Sequence, residues 1–163
     1  MPGKFTSRTP WREKLEKPKV KLPKIVRVPP QWRKQYGTGT MVIARPLDVD
    51  ALIRTVRKGK LVTQTQLRER LARKYRVDHA CPLTTGIFVR IIAEVAEEDR
   101  RAGKSRVTPY WRVVRDDGSL NEKLPGGPPA QARRLRAEGF AIAAGKGRKP
   151  PRVKEFDKYL ARL

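Results

Sequence analysis

The sequence predicts a mainly α domain organised around a helix-turn-helix, with a short β element, between a basic extended N-terminal arm and a basic C-terminal tail. Three observations predict it. Between residues 47 and 99, apolar residues recur at three- and four-residue steps in three successive stretches, the period of amphipathic helices. Beyond residue 103 that period gives way to short extended runs separated by turn-forming clusters. Both ends of the chain are rich in lysine, arginine and proline.

The arm spans residues 1–34 and holds 11 basic against 2 acidic residues. It carries Pro2, Pro10, Pro18, Pro23, Pro29 and Pro30. Proline fixes one backbone torsion and removes a hydrogen-bond donor, so this density predicts an extended chain without regular helix or strand. Trp11 and Trp32 are the groups expected to dock, on the domain or on a polyanion.

The domain itself is expected over residues 35–144. Asp48 is placed to cap a helix through Val56, with Val49, Leu52, Ile53 and Val56 on its apolar face. Thr63 and Gln66 have capping-box spacing and open a second helix, whose stripe is Leu67, Leu71 and Tyr75. A third helix runs from Thr84 or Thr85 to about Asp99. Ile87, Ile91, Ile92 and Val95 face its core, with Phe88 beside them. Residues 76–83 join these last two helices into a helix-turn-helix.

Residues 106–108 read as extended, and Asp116-Asp117-Gly118-Ser119 is a turn signal. After Gly126-Gly127, Pro128 or Pro129 starts a helix that ends near Glu138, with Ala132 and Leu135 inward. The tail, 145–163, opens as a basic linker. A short amphipathic helix is expected from about Val153, bearing Phe156, Tyr159, Leu160 and Leu163.

The 163 residues carry 39 Lys+Arg against 16 Asp+Glu, a net charge of +23. Such charge favours a polyanionic partner, DNA, RNA or an anionic membrane surface. No apolar run reaches the roughly 20 residues of a membrane span. The N-terminus lacks the apolar core of a secretion signal. A cytoplasmic, nucleoid-associated protein is therefore expected, with no membrane partner.

One cysteine, Cys81, cannot form an internal disulfide, and one histidine, His79, is too few for a Cys/His zinc site. No metal and no cofactor are expected. Cys81 lies two residues from His79, the pairing that activates a thiol; an inert buried thiol is the preferred reading. Glu94, Glu97, Glu98 and Asp99 read as a solvated helix face, or as a dock for a basic segment. Arg68, Arg70, Arg73, Lys74 and Arg76 read as a phosphate-binding stripe.

The run Thr108-Pro109-Tyr110-Trp111-Arg112-Val113-Val114, followed by the turn at Gly118, resembles the active-site segment of the O6-alkylguanine-DNA alkyltransferases, which reads Ile-Pro-Cys-His-Arg-Val-Val. Gly126-Gly127 and the helix with Leu135, Arg136, Glu138 and Gly139 are similar to that family's Gly-Gly…Leu-Leu…Glu-Gly ending. Residues 59–72, Gly59-Lys60-Leu61-Val62-Thr63 through Leu67 and Ala72, are similar to its first helix-turn-helix element. The matches keep their order over roughly 47–140.

The resemblance implies a winged-helix-like domain that binds double-stranded DNA in the minor groove and turns the damaged guanine out of the stack. It also implies a cysteine nucleophile served by His and Glu, and here the sequence departs. Tyr110 stands at the cysteine and Trp111 at the histidine, while Arg112 and Glu138 are kept. A phenol with an ordinary pKa near 10 is a poor nucleophile beside a thiolate. The non-catalytic alkyltransferase-like branch of the family, which marks alkylated guanine for repair, is the nearer comparison, although it keeps the histidine.

Tyr110, Trp111, Arg112 and Glu138 are thus expected around the former alkyl pocket. Tyr110 would stack on a base or fill the pocket, and Trp111 would belong to the core. Arg112 would bond backbone carbonyls. The expected nucleic-acid contacts are Gln64, which aligns with the family's phosphate-pushing Tyr, with Thr65, Arg68, Arg73, Lys74, Thr84, Thr85 and Arg90; Arg90 is the candidate for the family's intercalating Arg.

The leading functional expectation is a non-catalytic alkyltransferase-like DNA-binding protein, a sensor of modified guanine that hands it to a repair-protein partner. One alternative is an active alkyl acceptor using Cys81. Another is a general nucleic-acid module, bound to RNA or the nucleoid, that reuses the fold.

Overall fold

A computed structural model describes residues 9–163. The first eight residues, with Pro2 of the arm, lie outside the described residues. The chain runs α1 (Trp11–Glu16), β1 (Lys24–Arg27), α2 (Arg33–Tyr36), β2 (Thr40–Ile43), α3 (Pro46–Arg54), β3 (Val62–Thr63), α4 (Gln64–Tyr75), β4 (His79–Ala80) and α5 (Pro82–Arg101). It continues through β5 (Val113–Val114), α6 (Gly127–Ala137), β6 (Ile142–Ala143) and β7 (Arg152–Val153). The result is mainly helical with small sheets.

The spine is α5, whose 20 residues span about 30 Å at 1.5 Å per residue. Phe88, Val89, Ile92, Ala93, Val95 and Ala96 turn inward, and α1, α3 and α4 pack on that face. Ile87, expected in the core, is instead 48% exposed. The buried stripe runs through Thr85, Phe88, Val89 and Ile92, which leaves Leu83, Ile87 and Arg90 on the opposite side. Two adjacent β-branched and aromatic residues, Ile87 and Phe88, fit either stripe by spacing, and packing selects Phe88.

Two further expectations change. Asp48 is the third residue of α3, not its cap. Pro46 needs no N–H and so occupies the first turn, and Asp48 reaches back to the Arg45 backbone N–H at 3.1 Å. The segment expected as a bare extended arm carries α1 and β1. Pro10 precedes α1 where a missing donor costs nothing, and Pro23 and Pro29 flank β1 rather than interrupt it. Leu15 buries in the main core, and Arg12 pairs with Asp99 near the end of α5.

β1 pairs antiparallel with β2, which pairs parallel with β4. The second helix opens as predicted, with the reciprocal Thr63–Gln66 box at 3.1 and 2.9 Å. A second core gathers Leu61, Val114, Leu120, Ala132, Leu135, Phe140 and Val153. It is closed by the tail, and here the predicted amphipathic helix does not form. Val153 lies in β7 against β6, Glu155 adopts φ +53°, and 156–159 make one 3-10 turn. Leu61 then donates to Tyr159 O at 2.9 Å and accepts from Ala161 N–H at 2.7 Å, so strand-like pairing claims the backbone a helix would need. The predicted turn at 116–119 is present. Gly118 sits at φ +83°, where a Cβ would lie 2.4 Å from the Phe156 ring, so a larger residue is excluded.

Candidate nucleic-acid interface

The residues of the Tyr110-Trp111-Arg112 run converge on two buried carboxylates. Tyr110 is 3% exposed and its hydroxyl donates to Glu97 at 2.7 Å. Glu97 also accepts from Arg100 at 2.9 Å and Arg134 at 2.6 Å. Burial pushes the Glu97 carboxyl up, but those bonds and charges outweigh it and hold the group below its ordinary value. Burial, then the Glu97 bond, drives the Tyr110 phenol well above the usual range.

One residue on, the Trp111 indole N–H donates to Glu138 at 2.5 Å, and Arg112 Nε bonds both oxygens of that carboxylate at 3.0 and 3.1 Å. Arg112 also donates to the Val56 carbonyl at 2.7 Å. The Arg134 guanidinium lies 4.5 Å over the Trp111 ring. Tyr110 lines a cavity with Arg100, Arg101, Arg133 and Arg134; Trp111, Arg112 and Glu138 do not line that cavity.

A larger cavity, about 640 Å³, lies along the N-terminal half of α5. Gln64 and Arg90 line it, as do Trp11 and Lys14 of α1, Leu83 and Ile87 of α5, and Arg115, Asn121 and Lys123 of the turn after β5. Two cations approach the Trp11 ring, Lys14 Nζ at 4.5 Å and the Arg90 guanidinium at 5.7 Å from its centroid. Leu83 is 60% exposed at the mouth. An open apolar edge lined by four cations, with Asp116 as its one carboxylate, suits a ligand with flat apolar faces and anionic links.

The other expected contacts are placed less uniformly. Thr65 gives its N–H and hydroxyl to Asp116 at 3.1 and 2.7 Å, and Arg68 donates to the Thr65 hydroxyl at 2.7 Å. Lys74 pairs with Asp48 at 2.9 Å, and Arg73 donates to Leu163 O at 3.3 Å. The stripe on α4 is therefore partly internally bonded. Thr84 is half-buried, 3.5 Å from the Cys81 carbonyl, and Thr85 is buried, donating to it at 2.7 Å. Asp48 also accepts from Tyr75; burial raises its carboxyl, but bonds from Arg45, Tyr75 and Lys74 win and hold it far below its ordinary value.

The acidic cluster is not a uniformly solvated face. Glu97 and Asp99 are buried and paired, Asp99 with Arg12 and with Lys104, while Glu98 is exposed. Cys81 is buried at the start of α5 beside Val28 and Met41, and His79 Nε2 bonds the Thr38 carbonyl at 2.9 Å rather than the thiol. Among the described residues no group of three metal-ligating side chains is found, and no helix is long and apolar enough to cross a membrane.

Sequence reasoning missed Trp11, Lys14, Leu83, Ile87, Arg115, Asn121 and Lys123 as cavity residues. Helical spacing gave no signal for them, because Ile87 fits the core stripe by spacing as well as Phe88 does.

No family model matches the sequence, and no curated protein matches it. Solved structures do. S. pombe Atl1 in complex with damaged DNA containing O6-carboxymethylguanine aligns with a TM-score of 0.50 at 16% identity, covering 72% of this chain and 94% of that one. S. pombe ATL in complex with DNA aligns with a TM-score of 0.52 at 18% identity over the same shares. The likeness shows a shared alkyltransferase-like fold.

Proposed function

We propose that this protein binds duplex DNA in the manner its fold suggests, as a non-catalytic alkyltransferase-like protein that senses a modified or unpaired base. The observation that carries the reading is the cation-ringed cavity along α5, in a fold shared with a protein solved on damaged DNA. In this reading α4 and α5 form the helix-turn-helix, and β5 with its following turn forms a small wing. The N-terminal half of α5 enters the groove. Leu83 and Ile87 press an apolar edge against the base stack, as wedge residues of minor-groove proteins do. Arg90, Arg115, Lys14 and Lys123 meet flanking phosphates, and a displaced base enters the cavity beside Trp11.

Loss of alkyl transfer follows from the chemistry of the replaced residues. Displacement at carbon needs an accessible, deprotonated nucleophile. The Tyr110 hydroxyl is buried, donates to Glu97 and holds its proton more firmly than a free phenol. Trp111 takes the hydrogen bond to Glu138 but has no basic lone pair to accept a proton. Buried Cys81, without a bond to His79, is poorly placed to replace them. A nucleoid-associated place in the cytoplasm and hand-over to a repair-protein partner complete the reading.

The test is a fluorescence-anisotropy titration onto duplexes with and without one O6-methylguanine, with plain DNA and structured RNA as competitors. Preference for the lesion duplex is expected. Equal affinity for every polyanion would leave a charge-driven module and remove the sensing role.

A further inference from the structure

A second depression adjoins the cation-ringed cavity and shares Lys14 and Ile91 with it. It is an apolar groove of about 440 Å³ between the 17–24 segment, β2 and the buried side of α5. Leu22, Ile43 and Phe88 form its floor, and Val20 stands 61% exposed on its wall. Lys17, Lys19 and Lys24 rim it, and none of them pairs with a carboxylate among the described residues. The pattern is unlike the DNA-facing cavity, which has stacked aromatic and arginine groups.

We propose that this groove docks an acidic, apolar-bearing peptide segment of another protein, and the inference stands independently of the DNA-binding reading. An apolar floor gives a phosphate backbone nothing to bond, so a nucleic acid would use the lysines and leave the groove wetted. A second copy of this chain would bring its own lysines onto these ones, because a two-fold contact sets the same patch against itself. Residues 1–8 carry Lys4 and Arg8 and no carboxylate, so they meet the same repulsion. A segment with Leu, Ile or Phe spaced among Asp and Glu satisfies both parts at once: side chains bury against Phe88 and Val20, and carboxylates meet the rim.

The experiment selects a random 16-residue peptide library, displayed on phage, against the full chain, then measures the enriched peptides in solution. Enriched sequences are expected to interleave Asp/Glu with large apolar residues. Val20→Asn, an exposed and neutral change, is expected to weaken them at least fivefold, and Lys19→Gln with Lys24→Gln to do the same. Duplex affinity is expected to stay within twofold in V20N. Four results would overturn the proposal: no enrichment; equal binding by polyacidic peptides without apolar residues; complete displacement by RNA with indifference to V20N; or a tenfold gain in peptide affinity on Phe5→Ser, which would assign the groove to the chain's own N-terminus.

Discussion

The indole of Trp111 and the carboxylate of Glu138 are joined by a 2.5 Å hydrogen bond across 27 residues of chain, and that bond ties the 110–112 turn to the end of α6. Arg112 and the Gly59 N–H bind the same carboxylate, so three elements share one anion. Every donor facing that carboxylate is engaged with it, so the corner ties the 110–112 turn and the Gly59 turn to the end of α6.

Glu138→Ala should therefore destabilise the fold by about 3–5 kcal/mol, because it leaves the Arg112 charge half-buried without its partner. Urea unfolding measures this. Glu138→Gln, which keeps an acceptor for the indole, should cost less; equal losses would mean the Trp111 bond contributes nothing.

Acid should weaken the protein through the same groups. Bonds to Glu138, Glu97 and Asp48 outweigh burial and hold all three carboxyls below their ordinary values. Their stabilisation is complete above the unfolded pKa values, about 4.3 for Glu and 3.9 for Asp, and drains as pH falls through the lower folded ones. Thermal unfolding between pH 7 and 2 should show a plateau above pH 5.5 and a steep fall below 4. Rising stability on acidification would contradict the pairing.

Tyr110→Phe separates a core role from a ligand role. The change deletes one buried bond to Glu97 and should cost about 1–2 kcal/mol, while Arg100 and Arg134 still satisfy the carboxylate. Duplex affinity should change less than twofold. A large affinity loss with unchanged stability would instead place the phenol against the bound base.

Leu83→Ala should behave in the opposite way. An exposed side chain contributes within about 0.5 kcal/mol to stability. As a wedge against the stack it should contribute about tenfold in duplex affinity, roughly 1.4 kcal/mol. Wild-type affinity in this variant would remove α5 from the groove.

Arg90→Ala and Lys74→Ala make a contrasting pair of charge deletions. Arg90 lines the cavity and should reduce the slope of log affinity against log salt by about 0.9. Lys74 is engaged with Asp48, so Lys74→Ala should lower stability while leaving that slope unchanged. Identical slopes for the two would mean bulk charge, not position, sets binding.

The helices were legible because capping and periodicity are local. Thr63 and Gln66 announce α4, and the Asp116-Asp117-Gly118-Ser119 turn fixes its own geometry. What escaped the sequence was decided at long range. Prolines argued against structure in the first 34 residues, yet they fall beside α1 and β1, and Leu15 and Arg12 find partners on α5 that no local rule specifies. Helical spacing in the tail was real, but Leu61, nearly a hundred residues away, captures that backbone. At the site, Gln64 and Arg90 were reachable through the resemblance. Trp11 and Lys123 were not, because their place at one cavity depends on α1 and the 121–123 turn meeting across α5.

The approach of Lys14 and Arg90 to the Trp11 ring has a photophysical consequence. Of the chain's three tryptophans, Trp111 is locked beneath Arg134 and Trp32 sits beside Tyr36, away from the cavity. Trp11 alone among them lines the cavity, with Lys14 and Arg90 near its ring. If a ligand in the cavity draws Arg90 aside, the field on that indole changes, and the fluorescence of the unlabelled protein should report occupancy. Trp11→Phe supplies the blank.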